Sequence, residues 1–435
     1  MKKKTQSAFT RRRFTQLAAA AAATPLLAAP QIAKGQAAAH VVVIGGGFGG
    51  ATAAKYLKKA EPDLRVTLVE PNDSFITCPY SNLVLGGWRD LASITHSYDH
   101  LRDRWNVAHA KDTATGIDAD SRNVTLAGGE TLTYDRLIVS PGIDLRPPED
   151  GGIAGYDEAA YEAMPHAWKP GAQTLLLRSQ LEAMEDGGLF VLASPPNPFR
   201  CPPGPYERVS MIADYFKKEK PSSKILILDA KERFSKQGLF QQGWDRFYGD
   251  MIEWVNLPND GQVVEVDPAT RTLITEFGME YQAEVANVVP PQYAKAIARN
   301  SGLADASGWC PVDGRTFEST LVPGVHVVGD ASIASPMPKS GFAANSQGKT
   351  AAAAAIALLA GRELANPAWV NTCYSHVAPD YAISVAGVYK ATDDGIISVE
   401  GSGGVSPMEA DEASRKLESV YADGWYKSIT ADMFT

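Results

Sequence analysis

The sequence predicts a doubly wound α/β protein, with two dinucleotide-binding units and a separate C-terminal α+β module. Three stretches predict it. The first is Val41-Val-Val-Ile-Gly-Gly-Gly-Phe-Gly-Gly50, an aliphatic strand running into a glycine-rich turn. The second is a further series of apolar strands at 188–193, 224–229 and 285–289. The third is Val325-His-Val-Val-Gly-Asp330, a strand that returns the chain to the first unit. A length of 435 residues and an ordinary globular composition suit two or three domains with ample core.

Residues 1–37 read as a removable leader. Lys2 to Lys4 and Thr10-Arg-Arg-Arg-Phe14 supply a basic, twin-arginine start, and an apolar run from Leu17 to Ala29 leads to small residues near Ala37. This is the pattern of a Tat export signal, which carries folded proteins to the periplasm. The apolar run is too short for a membrane span, which needs roughly 20 apolar residues. Removing the leader takes the formal charge from −9 to −16. Such an acidic chain is a poor nucleic-acid ligand. The charge could steer a basic protein partner or serve only solubility.

Within the first unit, about 38–165, Gly45, Gly47 and Gly50 fill G-x-G-x-x-G between a strand and a helix from Ala51 to Lys59. In this Rossmann-like arrangement the first glycine turns the chain, the second admits a pyrophosphate and the third lets helix and strand pack closely. The strand Arg65-Val-Thr-Leu-Val-Glu70 ends in a carboxylate twenty residues past Gly50, where a ribose hydroxyl is held. Val124 to Thr133 reads as a hairpin with a Gly-Gly turn, and Tyr134 to Gly142 as a further strand.

The second unit, about 166–295, has the layout of a nicotinamide domain. However, its first turn is Ser194-Pro-Pro-Asn-Pro198, and prolines supply neither N–H groups nor permissive φ. Nicotinamide is therefore not expected as electron donor. The first unit resumes at about 296–365. There Gly329 and Asp330 end a strand as they do where FAD enzymes hold the ribityl chain. The stretch 341–360, with Lys349 counted among the cofactor-binding residues, starts an alanine-rich helix aimed at the flavin pyrimidine. Residues 366–435 form the last module.

Four cysteines remain: Cys78, Cys201, Cys310 and Cys373. An even count in an exported chain allows two structural bridges, but the local contexts point elsewhere. Cys78 lies in the loop that passes the isoalloxazine. Cys201 follows the proline turn, on the face where a nicotinamide would lie. The seven histidines show no metal-ligand spacing, and there is no C-x-x-C-H for a c-type haem.

Over these segments the chain resembles the flavoprotein subunit of flavocytochrome c sulfide dehydrogenase. The resemblance rests on Thr77-Cys-Pro-Tyr-Ser-Asn82, Phe199-Arg-Cys-Pro-Pro-Gly-Pro-Tyr-Glu207, Asn371-Thr-Cys-Tyr-Ser375 and the C-terminal stretch 425–434. It implies a glutathione-reductase-type fold, FAD bonded covalently through Cys78, and a redox-active Cys201–Cys373 disulfide that hydrosulfide attacks. It also implies Glu207 as an acid–base group and a c-type cytochrome subunit as electron acceptor. Trp425 either lines the flavin pocket, as the family's tail does, or packs in the core. Cys310 matches no functional cysteine of the family and reads as a buried small residue or free thiol. A sulfide:quinone oxidoreductase shares the fold and the cysteine pair and stands as the alternative. The acidic tail 406–435 lacks the basic apolar face that would reach a membrane. A flavin-binding redox chaperone has no need of three such cysteine contexts.

Overall fold

The computed structural model describes residues 39–435. The export signal expected over 1–37 lies outside them. In chain order the elements that build the site are β1 (His40–Ile44), α1 (Phe48–Ala60), β2 (Arg65–Val69), β3 (Ala108–Ala110) and β4 (Arg136–Val139). There follow β5 (Leu189–Ser194), α2 (Gly204–Glu219), β6 (Lys224–Asp229), α3 (Gln237–Phe247), β7 (Ile252–Val255) and β8 (Val285–Val288). The chain ends with β9 (Val325–Val327), α4 (Gly341–Leu359), β10 (Ala368–Ala378), β11 (Tyr381–Thr392) and α5 (Glu412–Phe434).

Five parallel strands form the first sheet, in the order β9-β4-β1-β2-β3. β1 is buried on both faces, as a continuous Val-Val-Val-Ile run requires at the centre of a parallel sheet. Helices α1 and α4 cover one face side by side, and small residues set their distance. A Cβ on Gly348 of α4 would stand 2.3 Å from the Gly49 carbonyl of α1. A second parallel sheet, β7-β6-β5-β8, carries α2 and a core including Phe190, Tyr206, Phe216 and Trp244. The Gly128-Gly129 hairpin forms as expected, between Asn123–Leu126 and Thr131–Thr133. It belongs to a three-stranded antiparallel appendage.

The last module is a four-stranded antiparallel sheet built on the hairpin β10-β11, followed by the 23-residue helix α5. Asp411 caps α5 by accepting from Ser414 N at 2.8 Å. The helix buries Tyr426, Ile429, Met433 and Phe434. The module thereby joins the two sheets: Phe434 and Trp369 enter the core of the first, and Val377 and Tyr381 that of the second. Among the described residues no helix is long and apolar enough to cross a membrane.

Candidate active site

A cleft of about 880 Å³ runs from the glycine turn to the middle of β10. It is rimmed by the N-terminal ends of α1 and α4, whose unpaired N–H groups favour anions. Gly45 has φ +92, and a Cβ there would meet the Ser140 carbonyl at 2.3 Å. Glu70 Oε2 accepts from Gly46 N at 3.1 Å, which fixes the carboxylate at the cleft wall. At the other rim Ser340 caps α4 by accepting from Ala343 N, and Gly329 N donates to Gln347 Oε1 at 2.7 Å. The Asp330 side chain faces the cleft. Burial pushes its carboxyl pKa up, while Arg200 and Lys339 pull it down.

Three of the four cysteines meet in this cleft: Cys78, Cys201 and Cys373. Cys201 adopts a left-handed backbone, φ +59, between its N–H donated to Lys339 O and its carbonyl accepting from Gly204 N, both at 2.8 Å. Such conformations are costly away from glycine and cluster at functional sites. Gly204 leaves the thiol its room, since a Cβ there would lie 3.1 Å from Cys201 Sγ. All four cysteines are free thiols in this structure, so the expected Cys201–Cys373 bridge is not formed here. The Cys201 thiol instead lies within hydrogen-bonding reach of Cys78, and both residues line the cleft. That hydrogen bond, helped by Arg200 and Arg208, lowers the Cys78 thiol to about 6 against burial. The same contact pushes the Cys201 thiol up. Cys373, on β10, is pushed up by burial and pulled down by Lys236 and by the Asn371 and Ser340 side chains.

Glu207 stands in the first turn of α2 and spans the thiols. Its Oε1 accepts from His376 N at 3.0 Å and its Oε2 from Asn82 Nδ2 at 2.9 Å. Trp425, from α5, lines the cleft, and its indole N–H is buried without a partner. Cys310 is fully buried, away from the cleft, and burial pushes its thiol up to about 12.

Lys349 corrects the sequence expectation. It is not among the residues lining the cleft; its Nζ pairs with Asp432 at 2.7 Å. Two helical turns past the N-terminus of α4, its side chain reaches α5 rather than a ligand at the helix end.

The second unit's own nucleotide position is filled by protein. Asp229, at the end of β6 where a ribose-binding acid belongs, is fully buried. It accepts from Tyr206 Oη at 2.6 Å and Trp254 Nε1 at 2.9 Å, and pairs with Lys231 at 2.6 Å. Lys231 Nζ also donates to Ser194 Oγ and Pro195 O, across the mouth of the proline turn.

Sequence reasoning did not single out Lys236, Arg208 or His376. Arg208 is 2% exposed and donates to Asn82, His166, Ala167 and Asn287. His376 is buried between Tyr80 and Trp88 with both ring nitrogens unpartnered. No spacing marks any of them, because each reaches the site from a different element.

Three family models match the chain. Sulfide dehydrogenase (flavocytochrome c) flavoprotein chain, central, covers 174–290. Flavocytochrome c sulphide dehydrogenase, flavin-binding, covers 365–434, and pyridine nucleotide-disulphide oxidoreductase covers 39–169. The sulfide dehydrogenase flavoprotein chain of Chlorobaculum thiosulfatiphilum is 66% identical over 37 residues, 8% of this chain and 77% of that one. The chain belongs to the flavocytochrome c sulfide dehydrogenase flavoprotein family. Mitochondrial sulfide:quinone oxidoreductase of mouse is 24% identical over 292 residues, covering 65% of this chain and 63%, under two thirds, of that enzyme. The solved sulfide:quinone oxidoreductase of Aquifex aeolicus shares the fold, with a TM-score of 0.69 at 18% identity over 91% of this chain and 92% of that one.

Flavocytochrome c sulfide dehydrogenase flavoproteins bind FAD, and the cleft suits it. The glycine turn would admit a pyrophosphate, Glu70 and Asp330 offer acceptors for ribose and ribityl hydroxyls, and the N–H groups at the start of α4 would suit an electron-rich ring.

Proposed function

We propose that this flavoprotein oxidises hydrogen sulfide to elemental sulfur or polysulfide through a Cys201–Cys373 disulfide and passes the electrons to a c-type cytochrome subunit. The observation that carries the reading is the convergence of Cys78, Cys201, Cys373 and Glu207 on one cleft, while the ribose position of the second unit is taken by the buried Asp229–Lys231 pair. FAD supplies a two-electron acceptor that can release electrons singly. Cys78 would hold it as a thioether; its thiol lines the cleft and is pulled down towards the reactive thiolate by its neighbours.

The chain's own residues carry the sulfur chemistry. Hydrosulfide attacks one sulfur of the bridge, so one S–S bond forms as another breaks, and the charge of hydrosulfide passes to the departing thiolate. A second hydrosulfide attacks the resulting persulfide, releasing HSS⁻ and leaving one thiol and one thiolate. Closing the bridge again gives up two electrons and one proton, and the Glu207 carboxylate takes the proton. The protein acts in the periplasm after Tat export, where its acidity favours a basic electron acceptor.

Anaerobically, sulfide is expected to bleach the flavin within seconds, whereas NADH and NADPH leave it oxidised. Rapid bleaching by NADH would overturn the reading. A second reading, sulfide:quinone oxidoreductase, is favoured by Leu417, Val420 and Tyr421, which α5 exposes within two turns of Trp425. Turnover with a soluble quinone but not with cytochrome c selects it. Attachment is tested separately. Acid precipitation is expected to leave wild-type flavin in the pellet and to release it from Cys78→Ser; release from both refutes the thioether.

A further inference from the structure

A disulfide offers hydrosulfide two sulfurs, and exchange is fastest when the departing thiol is the more acidic. The two sulfurs here stand in opposite surroundings. Around Cys373 are the donor Asn371 Nδ2, at 3.6 Å from Sγ and itself oriented by Ser340 Oγ donating to Asn371 Oδ1 at 2.6 Å, and the Lys236 ammonium. Around Cys201 the charged neighbours that count most are the other two cysteines and Glu207, all favouring the thiol. With Cys78 held as a thioether its charge is gone; the Glu207 carboxylate opposes a thiolate at either cysteine, and at Cys373 the Lys236 ammonium outweighs it.

Lys236 takes no part in the steps above, yet it is 7% exposed. It precedes α3 in a left-handed conformation, φ +62, and its Nζ donates to Cys373 O at 3.1 Å and to Ser375 Oγ at 2.8 Å. Burying an ammonium is costly, and two neutral oxygens repay it poorly. Among the described residues no carboxylate forms an ion pair with it. A thiolate on the neighbouring Cys373 would complete the site.

We propose that Lys236 is a positioning residue that holds Cys373 as the departing thiolate, so that hydrosulfide attacks Cys201 and the persulfide forms there. The proposal rests on the disulfide reading above. In the step, the sulfur of HS⁻ bonds to Cys201 Sγ and the Cys201–Cys373 bond breaks. The negative charge moves from HS⁻ to Cys373 Sγ, beside the ammonium, and no proton is transferred. In return the thiolate favours the charged lysine, whose pKa burial pushes down and Cys373, Glu207 and Glu418 push back up, to about 8 in all. The groups facing Lys236 are Cys373 and His376 on β10, Glu207 on α2, Cys201 before it and Glu418 on α5. Loss of the ammonium leaves the carboxylates unopposed, so the Cys373 thiol becomes less acidic.

The test uses flavin-loaded wild type, Lys236→Met and Lys236→Arg, with circular dichroism and flavin content as folding controls. Lys236→Gln replaces the Met variant if that does not fold. Peptide mapping of oxidised wild type is expected to recover a Cys201–Cys373 cross-link; its absence overturns the disulfide reading and this inference with it. Less than one equivalent of sulfide is then added anaerobically, the protein is alkylated, and the extra sulfur is located by peptide mass. It is expected on Cys201 in wild type and Lys236→Arg, and on both cysteines in Lys236→Met. In fully reduced protein, the midpoint of Cys373 alkylation against pH is expected to rise by about one unit or more in Lys236→Met, a roughly tenfold loss of thiolate below it, and to return in Lys236→Arg. A cross-linked Lys236→Met protein that still carries its persulfide wholly on Cys201, with an unshifted midpoint, overturns the inference and leaves the disulfide reading intact.

Discussion

Cys201→Ser and Cys373→Ser are each expected to give a folded, flavin-bearing protein whose flavin sulfide reduces about 10³-fold more slowly or worse. Hydroxyl groups form no bridge, and without a bridge hydrosulfide has no sulfur to attack and no thiolate to expel. Groups that act as one unit fail together, so the double variant should be scarcely slower than either single one. A structural bridge makes the opposite prediction: its loss typically costs about 2–5 kcal/mol of stability and spares the chemistry of what still folds. The positions themselves argue against scaffolding. Cys201 sits on a left-handed backbone, and its carbonyl already anchors the start of α2 through Gly204 N. Cys373 lies mid-strand in β10, paired with Val385 of β11 in a ladder that runs from Ala368 to Ala378 and forms with no bridge present. Glu207→Gln should be milder, near the low end of the about 10²–10⁴-fold that acid–base help is worth, since the amide keeps one acceptor for His376 N. The measurement is anaerobic stopped-flow reduction by sulfide, with circular dichroism alongside. Near wild-type reduction by either folded serine variant removes the bridge from the reaction.

The parts of this site legible in sequence are those that local physics writes into contiguous residues. A four-residue aliphatic run followed by three spaced glycines admits few structures, and β1, its turn and α1 form within a few residues of where the pattern puts them. The proline turn after β5 announces a missing phosphate cradle in the same way, because proline removes the donors that cradle needs. What fills that place is not local. Lys231 and Asp229 meet Tyr206 and Trp254 only after β6, α2 and β7 have packed. Lys236 is harder still: it lies in a polar turn with no periodicity, and its role depends on β10, which arrives 137 residues later. Lys349 shows the converse error. Proximity in sequence to a helix N-terminus suggested a ligand contact, whereas helical geometry carries the ninth residue of α4 about 12 Å along the axis from the first, to Asp432 of α5.

Gly50→Ala is the substitution expected to do most damage to the fold for the fewest atoms. A Cβ at Gly50 would stand 1.8 Å from the Gly45 carbonyl oxygen and 3.3 Å from Ser140 Cβ. The first is backbone, so no rotamer relieves it, and α1 must lift away from the turn that follows β1. That movement is resisted on the far side, where α4 meets α1 through Gly348. Overpacking of this kind usually costs about 1–3 kcal/mol, and a rigid backbone contact belongs at or above the upper end. The same shift pulls the α1 N-terminus from the pyrophosphate position, so flavin binding should fall with stability. Gly424→Ala provides the contrast. Gly424 is exposed within α5, and nothing lies within 4 Å of the added methyl. There the helix should gain up to about 1 kcal/mol, the usual advantage of alanine over glycine. Thermal melting with the flavin-to-protein absorbance ratio reads both effects. A Gly50→Ala protein with wild-type melting and full flavin would mean that the turn tolerates a methyl, and that close packing of α1 on β1 is not what forms the cradle.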